Sequence, residues 1–494
     1  MVKYFCLIFC LVFSISIFSQ TTSLTFNTKT RFQTIEGFGG AIFYYGDWVS
    51  SNPNADKIYD YLFKNLGTTI LRLGNEYMHE GGDNPGLATS ATIVVEANKR
   101  TPTDLLLSTW SPPAAYKCNH DTRNHDTKAT LDSNAKGEFV YGDYAKWWYN
   151  SLLQYDYRGM PIKYVSIQNE PNWGPGYEGC IFMPKEQVIF DDSLKRKVRV
   201  ASYGEAFGRV YDTVNKYKSH LTIMPKFLGP EVFGIEKKWG PNITDYTKNM
   251  DMSKCYGVNH HLYTGGSPKN ANSYINNLTF LHESYPAKPL FQTEYSEGDW
   301  LFTAQLIQNS LLYEQASGYI LWTYAWPNSD GALISTENPR DKSSWHTKTG
   351  YKVTLKYYAV KQFTSFIKPN WQMIDINPSD TTLSASAFIN PNNDSVSIVL
   401  INNSNESRSV RVNPSFFTIS SGKMYRTSSN DSCVFIGKYT KDSIVVLPKS
   451  ILTISLKGKI SKSSNSSNAL NNRTIFNKPK EYQVTFNSKT KILG

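Results

Sequence analysis

The sequence predicts an α/β fold, a (β/α)8 TIM barrel with an antiparallel β-sandwich attached as a side domain. Two patterns in the 494-residue chain lead to this prediction. From about residue 36 to 368, short apolar runs alternate with amphipathic stretches, which is typical of parallel βαβ units. After residue 369 this pattern stops, and short runs of alternating polarity follow, as in antiparallel sheets.

Eight apolar runs are predicted to form the barrel strands. Six strong runs lie at 68–75, 103–113, 163–171, 255–263, 288–296 and 317–327, and two weaker runs lie at 35–40 and 222–231. Helices are predicted between them, for example over 140–159 and 303–317. Eight strand–helix units are the number that closes a barrel of ordinary size.

The barrel is predicted to span residues 36–369, flanked by the parts of a second domain. Residues 21–35 are predicted to form an N-terminal strand that joins a β-sandwich over residues 370–457. Residues 458–494 are rich in Ser, Asn and Lys and lack periodicity, so they are predicted to form a tail. The role of this tail is left open by the sequence.

Residues 1–20 have the composition of a secretory signal peptide. Lys3 precedes an apolar run from Tyr4 to Phe18 that is short for a membrane span, and a polar stretch follows. We therefore expect a secreted, extracellular monomer without a membrane partner. Four of the six cysteines lie beyond this segment, and a disulfide between Cys118 and Cys180 is one open possibility.

The net charge of +11 does not indicate a nucleic-acid partner. Basic residues beyond Gly458 exceed acidic ones by six, so most of the excess charge lies in the predicted tail. Nucleic-acid binders instead concentrate Lys and Arg on a folded face. Aromatic residues make up 14% of the chain, and such a surplus can either fill a core or stack on sugar rings.

Polar and aromatic residues collect at the C-terminal ends of the predicted strands, where a (β/α)8 barrel places its active site. The candidates are Arg72, Trp110, Asn169, Glu170, His261, Tyr263, Glu294 and Trp322. Glu170 stands before Pro171 at the end of the fourth strand, and Glu294 stands at the end of the seventh. Two carboxylates that face each other across a barrel mouth are the minimum machinery for glycoside hydrolysis.

The motifs around these residues resemble those of glycoside hydrolase family 30. They read EGFGGA, LRLGN, STWSPPAAYK, SIQNEPNW, HHLYTGG and QTEYS, in order, within a resemblance that runs from about residue 33 to 457. The family contains endo-xylanases, β-1,6-glucanases and glucosylceramidases. The resemblance implies retaining chemistry, with Glu170 as acid/base and Glu294 as nucleophile. It also implies sugar contacts from Arg72, Trp110, Asn169, His261, Tyr263 and Trp322.

The expected substrate is a β-linked plant-wall polysaccharide, cleaved as by an endo-β-1,4-xylanase. A β-1,6-glucanase or a glucosylceramidase-like β-glycosidase is the alternative, and a non-catalytic carbohydrate-binding protein is a more distant one. Family members that require glucuronic acid branches carry an arginine just after strand eight. The stretch WTYAWPNSDGALI at this place has none, and Arg340 comes later. Endo versus exo action stays open.

No cofactor and no metal are expected. His260 and His261 are adjacent, and adjacent residues on a strand point to opposite faces. No third ligand stands at a spacing that zinc sites use. A metabolic barrel enzyme is disfavoured by the export signal and by the lack of a glycine-rich loop that would bind phosphate.

Overall fold

A computed structural model describes residues 21–78, 85–236 and 240–464. The predicted signal peptide, residues 1–20, and the part of the predicted tail from 465 onward lie outside the described residues. Eight parallel strands close into a barrel, which confirms the predicted fold class. These strands are Gly37–Ala41, Ile70–Gly74, Asp104–Ser108, Tyr164–Ser166, Lys226–Val232, Gly257–His261, Leu290–Glu294 and Gly318–Leu321.

The barrel strands are covered on both faces. The second, sixth and seventh strands are buried at every position. Two-sided burial explains why the second and eighth strands, ILRLG and GYIL, are largely apolar in the sequence rather than alternating. One buried cluster takes a side chain from each of six strands: Ile70, Leu106, Tyr164, Leu228, Phe291 and Ile320.

Helices surround the barrel. The α-helices of the described chain are Gly46–Ser50, Ala55–Tyr59, Pro85–Arg100, Tyr141–Tyr157, Tyr203–Lys216, Ile243–Thr247, Ile275–Ser284, Trp300–Asn309 and Leu355–Thr364. The segments Asp60–Asn65 and Ser310–Glu314 are π-helical, and 3-10 turns cover Ala114–Tyr116, Lys218–His220, Ala271–Tyr274 and Lys342–Ser344. Within the described ranges, no helix combines the length and the apolar character needed to cross a membrane.

The side domain is one sheet built from both ends of the described chain. Its strands are Thr22–Thr34, Gln372–Pro378, Leu383–Ile389, Ser395–Asn402, Arg408–Thr427, Val434–Lys438, Ile444–Val446 and Ser450–Ser464. The N-terminal strand lies between Gln372–Pro378 and Arg408–Thr427 and is parallel to the latter. The sheet is therefore antiparallel at its other pairings and parallel at this one. The two neighbours run in opposite directions, so an inserted strand must be parallel to one of them.

The tail begins later than the predicted residue 458. The last strand continues to Ser464, with Gly458 opposite Ile419 and Ile460 opposite Phe417. The partner strand is 20 residues long, so it offers hydrogen-bonding groups beyond the predicted boundary. A Ser- and Lys-rich composition is compatible with a solvent-facing strand as well as with a linker, and composition alone therefore misplaced this boundary.

The side domain packs firmly on the barrel. Gln362, in the last barrel helix, donates to Thr427 Oγ1 at 2.8 Å, and its carbonyl accepts from Thr453 Oγ1 at 2.8 Å. Ser386 Oγ donates to Gln308 Oε1 at 2.8 Å from another sheet strand. Five apolar side chains of the sheet join the main barrel core: Met373, Phe388, Val399, Ile401 and Ile451.

Smaller elements extend the loops above the barrel. A hairpin of Gln187–Asp191 and Arg196–Val200 follows the fourth strand, and a three-stranded sheet of Ala325–Pro327, Ile334–Thr336 and Tyr351–Val353 follows the eighth. Cys118, Cys180, Cys255 and Cys433 are all free thiols. The possible disulfide between the first two is not formed: Cys118 is exposed, with Sγ 3.4 Å from the N–H of Thr130, whereas Cys180 is buried.

Candidate active site

The mouth of the barrel, where the strands end, brings together all eight residues predicted from the sequence. Arg72 is the centre of this cluster, and its side chain is fully buried. Its Nη1 donates to Glu294 Oε2 at 2.6 Å and its Nη2 donates to Asn169 Oδ1 at 2.7 Å. The guanidinium also lies over the rings of Trp110, at 4.7 Å, and Trp322, at 6.0 Å. One fixed cation thus joins the second, fourth and seventh strands.

Glu294 ends the seventh strand and is held as an acceptor on both oxygens. Arg72 donates to Oε2, and the hydroxyl of Tyr263 donates to Oε1 at 3.0 Å. Asp299 then caps the following helix by accepting from the N–H of Phe302, which fixes the direction of the chain beyond the site. Each oxygen of the Glu294 side chain thus has its own donor, which fixes the orientation of this group.

Glu170 lies beyond the end of the fourth strand, which stops at Ser166 rather than at the predicted residue 171. Its N–H donates to the carbonyl of Glu231 at 3.0 Å, and the N–H of Asn169 donates to the carbonyl of Thr109 at 2.7 Å. The strand is shorter because beyond Ser166 these amides bond to isolated carbonyls of neighbouring segments, outside the regular ladder of the sheet. The backbone of Glu170 has a φ of 47°, which costs a non-glycine residue about 1–3 kcal/mol and is common at functional sites.

The surroundings of Glu170 favour a proton on its carboxyl group. Burial raises the pKa of Glu170 above its ordinary value, and the charge of Glu294 adds to this. The hydrogen bond to His261, whose Nδ1 lies 2.8 Å from Glu170 Oε1, opposes the rise without cancelling it. The two glutamates therefore have different surroundings, since Glu294 accepts from Arg72 and Tyr263, whereas the partner of Glu170 Oε1 is His261.

His261 is the second cation of the mouth. Burial lowers the pKa of this histidine, but Glu294, Glu170 and Glu231 raise it more, to about 9. Its Nε2 lies 3.8 Å from Glu231 Oε1 and 3.9 Å from Glu294 Oε2, which is too long for hydrogen bonds but close enough for attraction between charges. The neighbouring His260 points the other way and contacts Glu314 at 2.7 Å, so the two histidines do not form a joint site.

Glu231, at the end of the fifth strand, was missed by the sequence analysis. Its side chain is fully buried, with Oε1 3.3 Å from Arg72 Nη2 and accepting from Ser108 Oγ at 3.2 Å. Burial raises the pKa of Glu231, but Arg72 and His261 lower it more, to about 2. The run 222–231 ends in this acidic residue, which is the signal that could have identified it. Gly229 and Pro230 make the run a weak strand pattern, so its end was not considered.

Aromatic rings form one wall of the mouth. The rings of Trp110 and Trp322 lie 5.6 Å apart, and Phe43 stacks on Trp110 at 4.4 Å. Tyr44 contacts both tryptophans by its edge. Its hydroxyl donates to Glu178 at 3.2 Å, and this bond joins the loop after the first strand (the first loop) to the loop after the fourth strand (the fourth loop). Phe43, Tyr44 and Glu178 carried no pattern in the sequence that marked them, because they come from irregular loops.

The donor set could also accommodate a cation. Glu170, His261 and Glu294 each offer one ligand atom, and these atoms lie within 4.8 Å of one another. The guanidinium of Arg72 already binds Glu294 at 2.6 Å, and His261 is the cationic imidazolium at neutral pH given its pKa of about 9. Two resident positive charges make the mouth a poor place for a metal ion, which needs neutral imidazole and unpaired carboxylates.

A (β/α)8 barrel whose mouth holds two glutamates, one after the fourth strand and one at the end of the seventh, has the architecture of the barrel glycosidases. Residues 372–454 match the glycosyl hydrolase family 30 beta sandwich domain. The C-terminal domain thus matches a domain of this family, in agreement with the resemblance of the sequence motifs, which lie in the barrel outside the matched residues. No curated protein matches the chain by sequence.

Solved structures share the fold of the whole chain. The family 30 subfamily 8 xylanase from Clostridium acetobutylicum is 21% identical, with 88% of this chain and 99% of that chain covered and a TM-score of 0.64. A conserved exported protein from Bacteroides fragilis is 17% identical, with 88% and 100% covered and a TM-score of 0.71. The endo-β1,6-glucanase BT3312 is 18% identical, with 89% and 94% covered and a TM-score of 0.62. At these identities the likeness establishes the fold.

Proposed function

We propose that the protein is an exported retaining glycoside hydrolase that cleaves a β-linked polysaccharide by double displacement. The observation that carries the proposal is the position of the two carboxyl groups: an oxygen of Glu170 lies within 4.8 Å of an oxygen of Glu294. Retaining enzymes separate these groups by about 5–5.5 Å, whereas inverting enzymes need about 6.5–9.5 Å to admit a water molecule.

The first half of the reaction uses the contrast between the two glutamates. Glu294, oriented by Arg72 and Tyr263, attacks the anomeric carbon as a carboxylate and forms a covalent bond to the sugar. Glu170 gives its proton to the glycosidic oxygen as the bond to the leaving alcohol breaks. Negative charge leaves Glu294 at this moment, and the bond from Arg72 to Asn169 keeps the guanidinium in place.

The second half reverses the roles. Glu170, now ionised and hydrogen-bonded to His261, takes a proton from water while the water attacks the anomeric carbon. Glu294 leaves as a carboxylate, and Glu170 regains its proton. Asn169 accepts from Arg72 through Oδ1, so its amide NH2 is directed elsewhere and can donate to a sugar hydroxyl. Trp110 and Trp322 offer the apolar faces on which a sugar ring stacks.

As substrate we propose plant-wall polysaccharide, with β-1,4-xylan cut at internal bonds as the first candidate. The support is the sequence resemblance and the xylanases among the proteins of the same fold. An endo-β1,6-glucanase shares the fold as well, so β-1,6-glucan belongs in the same assay. Export is proposed from the charge and apolar run of residues 1–20. Release of new reducing ends from xylan, β-1,6-glucan and glucosylceramide would identify the substrate class.

A mechanism-based label tests the proposed reaction directly. A 2-fluoro sugar with a dinitrophenyl leaving group slows the second half of the reaction, so the covalent intermediate should accumulate. Mass spectrometry of peptides should then find one sugar attached to Glu294, and Glu294→Gln should stay unlabelled. A label on another residue, or no label with any sugar whose aryl glycoside is hydrolysed, would contradict the assignment of Glu294.

A further inference from the structure

We propose that Glu231 is a positioning residue that keeps the proton on Glu170, acting through Arg72 and His261. This inference rests on the glycosidase function proposed above and adds a third carboxylate to its two-carboxylate scheme. The resemblance to family 30 gave this residue no role, and the two reaction steps do not use it. Its place in the mouth nevertheless requires an explanation, because an ionised carboxylate without any exposure is costly unless it is balanced by charge.

The contacts of Glu231 point to the two cations rather than to a substrate. Oε1 lies 3.3 Å from Arg72 Nη2 and 3.8 Å from His261 Nε2, and it accepts from Ser108. Its main-chain carbonyl accepts from the N–H of Glu170 at 3.0 Å. Glu231 also has a φ of 58°, so its backbone lies in the left-handed region, as do those of Glu170 and Tyr44. One residue thus anchors the backbone of the acid and contacts both neighbouring cations.

Counting charges gives the reason for the arrangement. Arg72 and the His261 imidazolium supply two positive charges, and Glu231 and Glu294 supply two negative ones. The buried mouth is neutral when Glu170 is protonated, and ionisation of Glu170 would leave a net negative charge there. Without the charge of Glu231 the balance reverses, because the mouth then carries one positive charge that ionisation of Glu170 would cancel.

The other titratable groups that face Glu170 do not change this count. Tyr263 follows the sixth strand, Tyr177 lies in the fourth loop, and Tyr44 in the first loop faces Glu294. Burial raises the pKa of all three tyrosines above the ordinary value, so they stay neutral. Glu178 is half-buried at the rim, where it accepts from Tyr44.

Replacing Glu231 by Gln should therefore lower the pKa of both groups that lose protons on the alkaline side. Glu170 would have a more positive environment, and His261 would lose one of the three carboxylates that hold its proton. Because both changes have the same sign, the prediction does not depend on which group limits the rate at high pH. Coupled groups share their apparent pKa values in any case.

The first test is the pH profile of kcat/KM on an aryl glycoside of the active sugar. In Glu231→Gln the alkaline limb should move to lower pH by about one unit, the size expected for one nearby charge. Glu231→Asp keeps the charge and should keep the limb near its wild-type position, even if the rate falls. Glu231→Asn removes the same charge with a shorter amide side chain and should move the limb in the same direction, which covers the case that the Gln variant does not fold.

Glu314 provides a matched control. It is also fully buried and lies outside the mouth. Its carboxylate is paired at 2.7 Å with His260, which precedes His261 on the sixth strand. Glu314→Gln should leave the alkaline limb unmoved. A purely structural role for Glu231 would lower kcat/KM equally at all pH values, and an unmoved limb in a folded Glu231→Gln protein would overturn the proposal.

A second measurement needs no turnover. In protein labelled with nitrogen-15 histidine, the His261 signal, assigned by its absence in His261→Asn, should stay that of imidazolium up to about pH 9. In Glu231→Gln it should lose the proton at lower pH. An unchanged titration would refute the inference by itself, whereas a shifted titration in a protein that hydrolyses no glycoside would refute only the proposed function.

Discussion

Both ends of the barrel hold buried carboxyl groups beside cations, but the hydrogen bonding is complete at one end and incomplete at the other. At the N-terminal end, which we call the base, Glu36 accepts from the hydroxyls of Tyr164 and Tyr256 and pairs with Lys226 at 3.4 Å. Burial raises the pKa of Glu36, but these donors outweigh it, and the net shift is downward. At the mouth, polar atoms remain without a protein partner, among them His261 Nε2 and Glu231 Oε2.

This difference distinguishes a cluster that only stabilises the fold from a site whose groups can exchange protons. In the base, one carboxylate has three donors, and the cluster is complete within the protein. In the mouth, three carboxylates share two cations, so removing or adding one proton changes the balance of the whole cluster. Unpaired buried polar atoms are costly, so a structural cluster such as the base avoids them.

The largest expected effect of a single substitution is at Glu294. Glu294→Gln should lower turnover by at least about a hundredfold, because the amide is too weak a nucleophile to form the covalent intermediate. The side chain keeps its shape, so the melting temperature should stay within a few degrees of the wild type. Activity above about a hundredth of the wild-type rate in the purified variant would mean that Glu294 is not the nucleophile.

Glu170→Gln should have a smaller effect that depends on the substrate. Glycosides with poor leaving groups need the proton of Glu170 and should lose most of their rate, whereas activated aryl glycosides should still form the intermediate. Added azide should restore part of the turnover by attacking in place of activated water. Equal losses for both kinds of leaving group would contradict the role of Glu170 as proton donor.

At the base, the effect should fall on stability instead of activity. Glu36→Gln removes the charge that three donors satisfy and should lower the free energy of unfolding by about 1–3 kcal/mol, with the pH profile of activity unchanged. Since the pKa of Glu36 is lowered on folding, its contribution is present above the ordinary value of 4.5 and is lost as the pH falls below it. Denaturant unfolding at pH 7 and at pH 3 should therefore differ more in the wild type than in the variant.

The smallest effect is expected outside both ends, at Arg340. Its guanidinium is mostly exposed and pairs with Asp47 at 2.7 Å, a contact of the kind that contributes about 0–1 kcal/mol. If no arginine reads a glucuronate branch, linear xylo-oligosaccharides should be cut as readily as branched ones, and Arg340→Ala should change neither rate. Products of the wild type that all carry a branch at one fixed position would show instead that Arg340 recognises it.

The sequence predicted the parts of the site that local patterns encode. Buried parallel strands are continuous apolar runs, and Glu170 and Glu294 stand where such runs end, so strand order and both carboxylates could be identified. Glu231 was not identified because Gly229 and Pro230 interrupt its apolar run. Its role also depends on Arg72, a partner on a different strand, which no local pattern shows. The later start of the tail was hidden for a similar reason, since only pairing with a distant strand makes residues 458–464 part of a sheet.

The position of the N-terminal strand has a consequence for the order of folding. Among the described strands, Thr22–Thr34 pairs in the sheet only with those that begin at Gln372 and Arg408, so it has no sheet partner until most of the chain is available. Contacts of such sequence separation form slowly, because loop closure costs entropy before any contact compensates for it. The apolar side chains of this strand, Leu24 and Phe26, must therefore stay exposed while the barrel strands form. Under the export proposed above, the first residues behind the predicted signal peptide would enter the sheet only after the C-terminal strands had followed.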